Sequence, residues 1–353
     1  MSDFEKKQGP AFFAAANSGK GFVSFYDEIF NSKEISRRYL IKGGPGTGKS
    51  TFMRRVAEEA EKRGKTVTYY HCSSDPSSLD GIIIDGNIAI IDSTAPHAIE
   101  PTLVGVRDTI LDFGAFWDCD ELALQVDKIS LLSDKKSRAY ALAYRFLSSA
   151  MQSDIASREI FLPYVDLARL KKTVRRLTRK IKRGAGYDLR IGLSSAIGMS
   201  GTCYFDSYEC LASRTVYIED RYGLGFLALS EICKFAQINQ NKISVSYLPL
   251  CPDVPNVVYF EEEKLAFAVV EGKKKKAVSL RKVLDLSGVS NKEKRDIKTR
   301  ARNAKKLSDA LVLAACDELS LAGDAHFELE KVYRSAMDFS GLEVLALGIV
   351  EKL

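Results

Sequence analysis

Gly43, Gly48, Lys49 and Ser50 stand in the spacing Gly, four residues, Gly-Lys-Ser, inside the stretch YLIKGGPGTGKSTFMRRV. The chemistry this pattern serves is phosphate binding. Glycines let successive backbone N–H groups curl around phosphate oxygens, and a helix starting there aims its positive end at the same anion. Residues Gly43, Gly44, Pro45, Gly46, Thr47, Gly48, Lys49, Ser50 and Thr51 are thus expected to hold ATP, with Lys49 on the β- and γ-phosphates and the Ser50 hydroxyl on Mg²⁺. A metal-binding carboxylate is also needed at the end of a buried strand. NIAIIDST supplies it, because Ile88 to Ile91 form a short apolar run that ends in Asp92. Ser93 and Thr94 follow, not a glutamate. A water-activating base must then come from elsewhere, or the reaction is not simple hydrolysis.

TVTYYHC alternates and is rich in β-formers, so it reads as a second strand with His71, Cys72 and Asp75 at its carboxyl end. Open α/β sheets bind ligands beyond those ends. His71, Asp75, Asp80, Asp92, Thr94 and His97 are expected to gather near the γ-phosphate, with His97 or Asp75 orienting a water or an acceptor hydroxyl. Alternatively, Pro96 and His97 only shape the loop after Asp92.

The elements that position these groups must fit into 353 residues, 46% hydrophobic and 28% charged, which is the size of about two globular domains. The polar start and the lack of any apolar run near about 18 residues point away from a membrane and towards the cytoplasm. Seven cysteines without a C-x-x-C pair suit reduced thiols better than a disulfide or zinc framework. A net charge of +6 permits an anionic partner without demanding one.

The chain also resembles itself. When Arg37 is laid on Arg214, Ile41 meets Ile218, Gly46 and Gly48 meet Gly223 and Gly225, Tyr70 meets Tyr247, and NIAIID meets KLAFAV. In the second copy Lys49 becomes Phe226, Ser50 becomes Leu227 and Asp92 becomes Val269. The second copy has therefore lost the phosphate lysine, the metal hydroxyl and the metal carboxylate. Its apolar loop is expected to pack against a neighbouring domain or subunit, leaving one nucleotide per chain.

GGPGTGKSTF, YYHCSSDPSSLDG, IAIIDSTAPH and DFGAFWD, followed by a degenerate second copy, resemble a family of bacterial tandem P-loop proteins labelled predicted ATPases. The resemblance covers essentially the whole chain and implies nucleotide binding on a P-loop fold. Relatives in that family tend to keep the glycines and lysine in both halves, and this sequence departs there.

Between the halves, residues 120–152 read as long helical structure. LARLKKTVRRLTRKIKRG continues it, with Leu167, Leu170, Val174, Leu177 and Ile181 on one face and cations on the other. That basic face either follows a nucleic-acid backbone or is simply solvated. Lys273 to Lys276 and NKEKRDIKTRARNAKK form a second basic region. The expected fold is α/β: a P-loop-type parallel sheet, duplicated, with a helical extension after each half. The expected divisions are 1–160, a basic linker helix at 161–186, and 187–353. About three strands per half are plain, and residues near Phe12 to Phe25 and Ile191 to Phe205 are expected to supply more. Three functions remain open: an ATPase coupling hydrolysis to a conformational change on a partner, a small-molecule kinase, and a nucleotide switch with little turnover.

Overall fold

The computed structural model describes residues 9–96, 98–220, 222–271 and 277–351. Its first half runs through β1 (Ala11–Phe13), β2 (Ala15–Ser18), β3 (Gly21–Ser24), α1 (Tyr26–Phe30), β4 (Arg37–Lys42), α2 (Lys49–Lys62), β5 (Val67–His71), β6 (Leu79–Ile84), β7 (Ile88–Asp92) and β8 (Asp108–Asp112). Helices α3 (Cys119–Ala123), α4 (Val126–Glu159) and α5 (Leu167–Thr178) follow. The order then repeats as β9 (Asp188–Ile191), β10 (Ser195–Gly198), β11 (Gly201–Tyr204), α6 (Ser207–Leu211), β12 (Arg214–Asp220), α7 (Gly225–Ile238), β13 (Lys242–Tyr247), β14 (Pro255–Phe260), β15 (Leu265–Glu271) and β16 (Val278–Ser279). Helices α8 (Asn291–Ser335) and α9 (Ser340–Val350) complete it.

Each half builds a six-stranded sheet, ordered β1-β5-β6-β7-β4-β8 and, read the same way, β9-β13-β14-β15-β12-β16. The duplication extends to register, since Arg37 pairs with Ile88 and Arg214 with Leu265, residues that the self-alignment superposes. The expected all-parallel sheet is corrected in both halves. β6 lies antiparallel to β5 and β7, and β14 antiparallel to β13 and β15. The cause is local: Asp85 and Gly86 both take positive φ between β6 and β7, a tight reversal that leaves no room for a crossover. The extra strands near the start of each half are present. β1 and β9 join the main sheets, while β2–β3 and β10–β11 form separate hairpins.

One core joins the two halves, bringing Leu40, Ile83 and Ile91 of the first sheet together with Val257, Tyr259 and Ala268 of the second. The other face of the first sheet packs on α2, where Phe52, Met53 and Val56 meet Ile41, Ile82 and Ile90. Residues from the far end of the sequence close this second core, because Leu342, Ala346 and Ile349 of α9 pack into it. The reciprocal arrangement holds in the other half. Leu170 and Val174 of α5 pack with Ala228, Leu229 and Ile232 of α7. Helix α5 does not continue α4. Pro163 falls in the break, and Asp166 caps the new helix through the Arg169 N–H at 2.9 Å. The basic face of α5 is solvent-exposed at Lys171, Lys172, Arg175, Arg176, Arg179 and Lys180. Lys273 to Lys276 lie outside the described residues.

The 34-residue α4 and the 45-residue α8 pack antiparallel. Asp118 N–H donates to the Ala336 carbonyl (2.8 Å) at one end, Ala143 and Leu147 meet Ala315 and Leu319 in the middle, and Phe161 meets Ile297 and Ala301 at the other end. At about 1.5 Å per residue the pair is long enough to reach between the glycine turns of both halves.

An ion pair specific to the first half fixes β4 to its edge neighbour. Arg38 and Asp108 are fully buried and bidentate, with Nε–Oδ1 and Nη2–Oδ2 both at 2.7 Å. The Arg38 guanidinium, helped by the Leu103 and Thr102 N–H groups, holds the Asp108 carboxyl far below the usual range. Asp108→Asn leaves Arg38 buried with no charged partner. Unfolding free energy from denaturant titration is expected to fall by about 3–5 kcal/mol at neutral pH. A carboxylate with a depressed folded pKa stabilises above its unfolded value of about 4 and loses that contribution below it, so the gap between parent and variant should narrow as pH falls past about 4.

Candidate phosphate site at the glycine turn

The turn between β4 and α2 depends on glycine where φ is positive, at Gly46 (71°) and Gly48 (77°). Gly48 occupies the position before α2 and offers no capping side chain, so the first-turn N–H groups of α2 remain available to an anion. Thr47 is buried and donates its hydroxyl to the Gly44 carbonyl at 2.9 Å, which braces the turn. Lys49 folds back over it, donating to the carbonyls of Gly43 (3.0 Å) and Gly44 (2.7 Å). Its Nζ lies 3.6 Å from Asp92 Oδ2, with both side chains only 14% exposed. The Ser50 hydroxyl accepts the Leu79 N–H at 3.0 Å, whereas Thr51 faces solvent.

Asp92 ends β7, as the apolar run predicts, and its Oδ1 accepts from the Thr94 N–H at 3.0 Å. The Thr94 hydroxyl sits between that carboxylate (2.6 Å) and the Gly43 carbonyl (2.9 Å), tying the strand end to the glycine turn. Asp80, at the start of the neighbouring antiparallel strand, is buried and contributes a second carboxylate. Burial, then the charges of Asp80, Asp92 and Cys72, push the Tyr26 phenol well above its ordinary pKa. Burial and the Asp80 charge likewise push up the Cys72 thiol. Tyr26 and Cys72 therefore face the acids as neutral groups.

The oxygens of Ser50, Asp80, Asp92 and Thr94 are hard ligands, which fits a cation of the Mg²⁺ type that retains several waters. Among the described residues, no three His, Cys, Asp or Glu side chains gather into a protein-only metal cage. Of the residues expected near a γ-phosphate, Asp92 and Thr94 are brought together at the glycine turn, and Asp80 lies buried at the start of β6, where its charge and that of Asp92 both act on Tyr26. His71 is directed elsewhere: its Nδ1 lies 2.7 Å from the Pro76 carbonyl and its ring packs on Phe205 of the second half. Burial lowers the His71 pKa, keeping the ring neutral. Asp75 is engaged with the N–H (3.0 Å) and hydroxyl (2.7 Å) of Ser77. His97 lies outside the described residues.

Several residues at the turn are not signalled by motif spacing. Trp117 approaches Gly44 so closely that a Cβ there would sit 3.1 Å from its ring, and the Trp117 and Tyr333 ring centroids are 5.4 Å apart. A Cβ on Gly46 would lie 2.4 Å from the Glu330 carbonyl oxygen and 3.0 Å from its Cα. Phe339 and Leu342 cover Gly48. The Glu330 carboxyl is held below its ordinary range first by His326, then by the Gly46 N–H and the Lys49 charge. Lys136 of α4 has its ammonium pKa lowered by burial and by the positive charge of Lys49.

The corresponding turn of the second half is filled from within. Asp220 stands in the place of Gly43 and accepts the N–H groups of Leu224 (2.8 Å) and Tyr222 (3.3 Å). A Cβ on Gly223 would lie 2.7 Å from Cγ of Arg158, whose guanidinium covers the Phe226 ring at 5.5 Å. Phe226 and Leu227 pack beside Phe161, Ile297 and Ala301, so their neighbours are this chain's own α4, α8 and the segment between α4 and α5.

A family model described as Nephrocystin 3, N-terminal matches residues 24–82, which include the glycine turn and α2 but stop short of Asp92. The chain is similar to that family over this stretch. No curated protein and no solved structure matches the chain. Among the described residues, no helix is long and apolar enough to cross a membrane.

Gly46→Ala introduces both a positive-φ penalty and a collision with the Glu330 backbone, whereas Gly64→Ala, at φ 76° with nothing within 4 Å of the added Cβ, carries only the first. Gly64→Ala should cost about 1–2 kcal/mol and Gly46→Ala clearly more, as read from denaturant midpoints of the two variants.

Proposed function

We propose that the first half binds Mg-ATP and hydrolyses it, and that the change at the glycine turn is passed to the second half through α4 and α8. The observation that carries this reading is the meeting of the Gly43–Ser50 turn with Asp92 at the carboxyl ends of adjacent strands, where Lys49 spans the gap at 3.6 Å. Lys49 would exchange its hydrogen bonds to two loop carbonyls for stronger ones to the β- and γ-phosphate oxygens. Ser50 and Asp92 would hold Mg²⁺, which neutralises charge on the transferred phosphoryl group. The water-orienting role left vacant by Ser93, in the position after Asp92, would fall to the buried Asp80 at the start of the strand that pairs with β7. The Asp220 carboxylate already meets the amides of the second turn, so that turn is not assigned a nucleotide.

Calorimetric titration with a non-hydrolysable ATP analogue and Mg²⁺ is expected to give about one site per chain. Lys49→Ala should reduce affinity by at least about tenfold and abolish turnover, since it removes a charge-assisted contact of about 1.5–3 kcal/mol. Unchanged binding in the folded variant would refute the site.

Asp92→Asn keeps the shape of the side chain and loses its charge. The Mg²⁺ concentration giving half-maximal turnover should rise several-fold. A titration that overlays the parent's would remove Asp92 from the metal site.

The assay also separates the proposal from its alternatives. ADP release that depends on an added metabolite, with a phosphorylated product, would identify a kinase. Binding without turnover would identify a switch.

A further inference from the structure

The turn in the first half is met by a carboxylate from the other half of the chain. Glu330 lies on α8, almost at the end of a helix that begins beside the second glycine turn, and its backbone approaches Gly46 closely enough to exclude any side chain there. Trp117 and, from α8, Tyr333 cover Gly44, while Phe339 and Leu342, which follow α8 in the chain, cover Gly48. His326, one helical turn before Glu330, places Nε2 at 3.5 Å from Oε1. The Gly46 N–H and the Lys49 ammonium act on the same carboxylate, the two kinds of group that a phosphate would use. The degenerate turn offers an internal comparison, because there the Asp220 carboxylate meets the loop amides. Both turns thus have a protein carboxylate beside them, one from its own strand and the other from α8.

We infer that Glu330 is a built-in competitor for the phosphate position, so that nucleotide enters the first half only as α8 draws Glu330 away from Gly46. The inference rests on the nucleotide reading of this turn and specifies its regulation. Glu330 and the triphosphate carry charge of the same sign and converge on the same turn, so each disfavours the other. Binding then couples directly to the position of α8, whose far end packs with Phe161 and Leu224 around the second turn. The competition lowers apparent affinity by the fraction of molecules in which Glu330 is seated.

Glu330→Gln tests this, because the amide keeps the size and packing of the side chain and removes its charge. The probes are inorganic pyrophosphate and a non-hydrolysable ATP analogue with Mg²⁺, titrated calorimetrically into parent, Glu330→Gln, and the double variant Glu330→Gln with Lys49→Ala. Thermal melts establish that each variant is folded. Glu330→Gln is expected to bind both probes about tenfold more tightly than the parent, and the double variant to lose the gain. Equal or weaker binding by Glu330→Gln, where the parent binds, would overturn the competitor while leaving the nucleotide site standing. A gain that survives in the double variant would also overturn it, because the added affinity would not pass through this turn. Absence of binding by both the parent and Glu330→Gln would overturn the nucleotide reading itself. Trp117, the sole tryptophan of the chain, gives a second readout. Its emission should shift when the analogue binds the parent, since Tyr333 leaves with α8, and an unchanged spectrum at saturation would overturn the proposed movement.

Discussion

The antiparallel contact between α4 and α8 is the constraint on which the rest of the arrangement depends. Each helix leaves one half of the chain and finishes against the glycine turn of the other, so the ends of the pair define what stands over both turns. Small residues along the contact, Ala143 opposite Ala315 among them, allow the helices close approach. The short segments after the two helices then cross over. Helix α9 completes the apolar face around α2, and α5 does the same for α7. Neither half has a closed core without residues from the other, so each half depends on the other for part of its apolar packing.

Electrostatics distinguishes the two turns. A tight turn followed by a helix collects N–H groups that need an acceptor, whatever the surrounding sequence. In the second half Asp220 answers that need permanently, and the Phe226 ring takes the place of a lysine beneath Arg158. In the first half Gly43 has no side chain to offer, so the acceptor must come from outside the turn. There Lys49 stands 3.6 Å from Asp92, and its positive charge, with burial, lowers the pKa of Lys136 on α4.

The places of the glycine turn and Asp92 were legible because they depend on spacing and on a short apolar run, both local properties. The repeat was legible for a related reason: strand register is preserved between the copies, so Arg37 and Arg214 align in sequence and in the sheet. The antiparallel β6 was also encoded, in the Asp85-Gly86 pair between two apolar runs, but buried strands on both sides look the same in either direction. The break before α5 was signalled by Pro163 and Asp166 and was masked by the regular leucine spacing that resumes after it. Glu330 could not be read. It sits in a long helix rich in charge, where one more glutamate looks solvated, and only the crossing of α8 over Gly46 places it at the glycine turn. Helical periodicity identifies an apolar face without naming what will cover it, and for that reason the exchange of α5 and α9 was invisible in the sequence.

The placement of α9 has a consequence for how the molecule comes into being. Phe52, Met53 and Val56 emerge early during synthesis, yet Leu342, Ala346 and Ile349, which cover them, are added only after both sheets have been made. Local contacts can organise the early sheet, but the last apolar surface must wait for a partner very distant along the chain, a high-contact-order closure that tends to be slow. The nascent first half therefore leaves the ribosome with an open flank beside its glycine turn. That flank is closed only when α9, which follows both sheets in the chain, packs against α2.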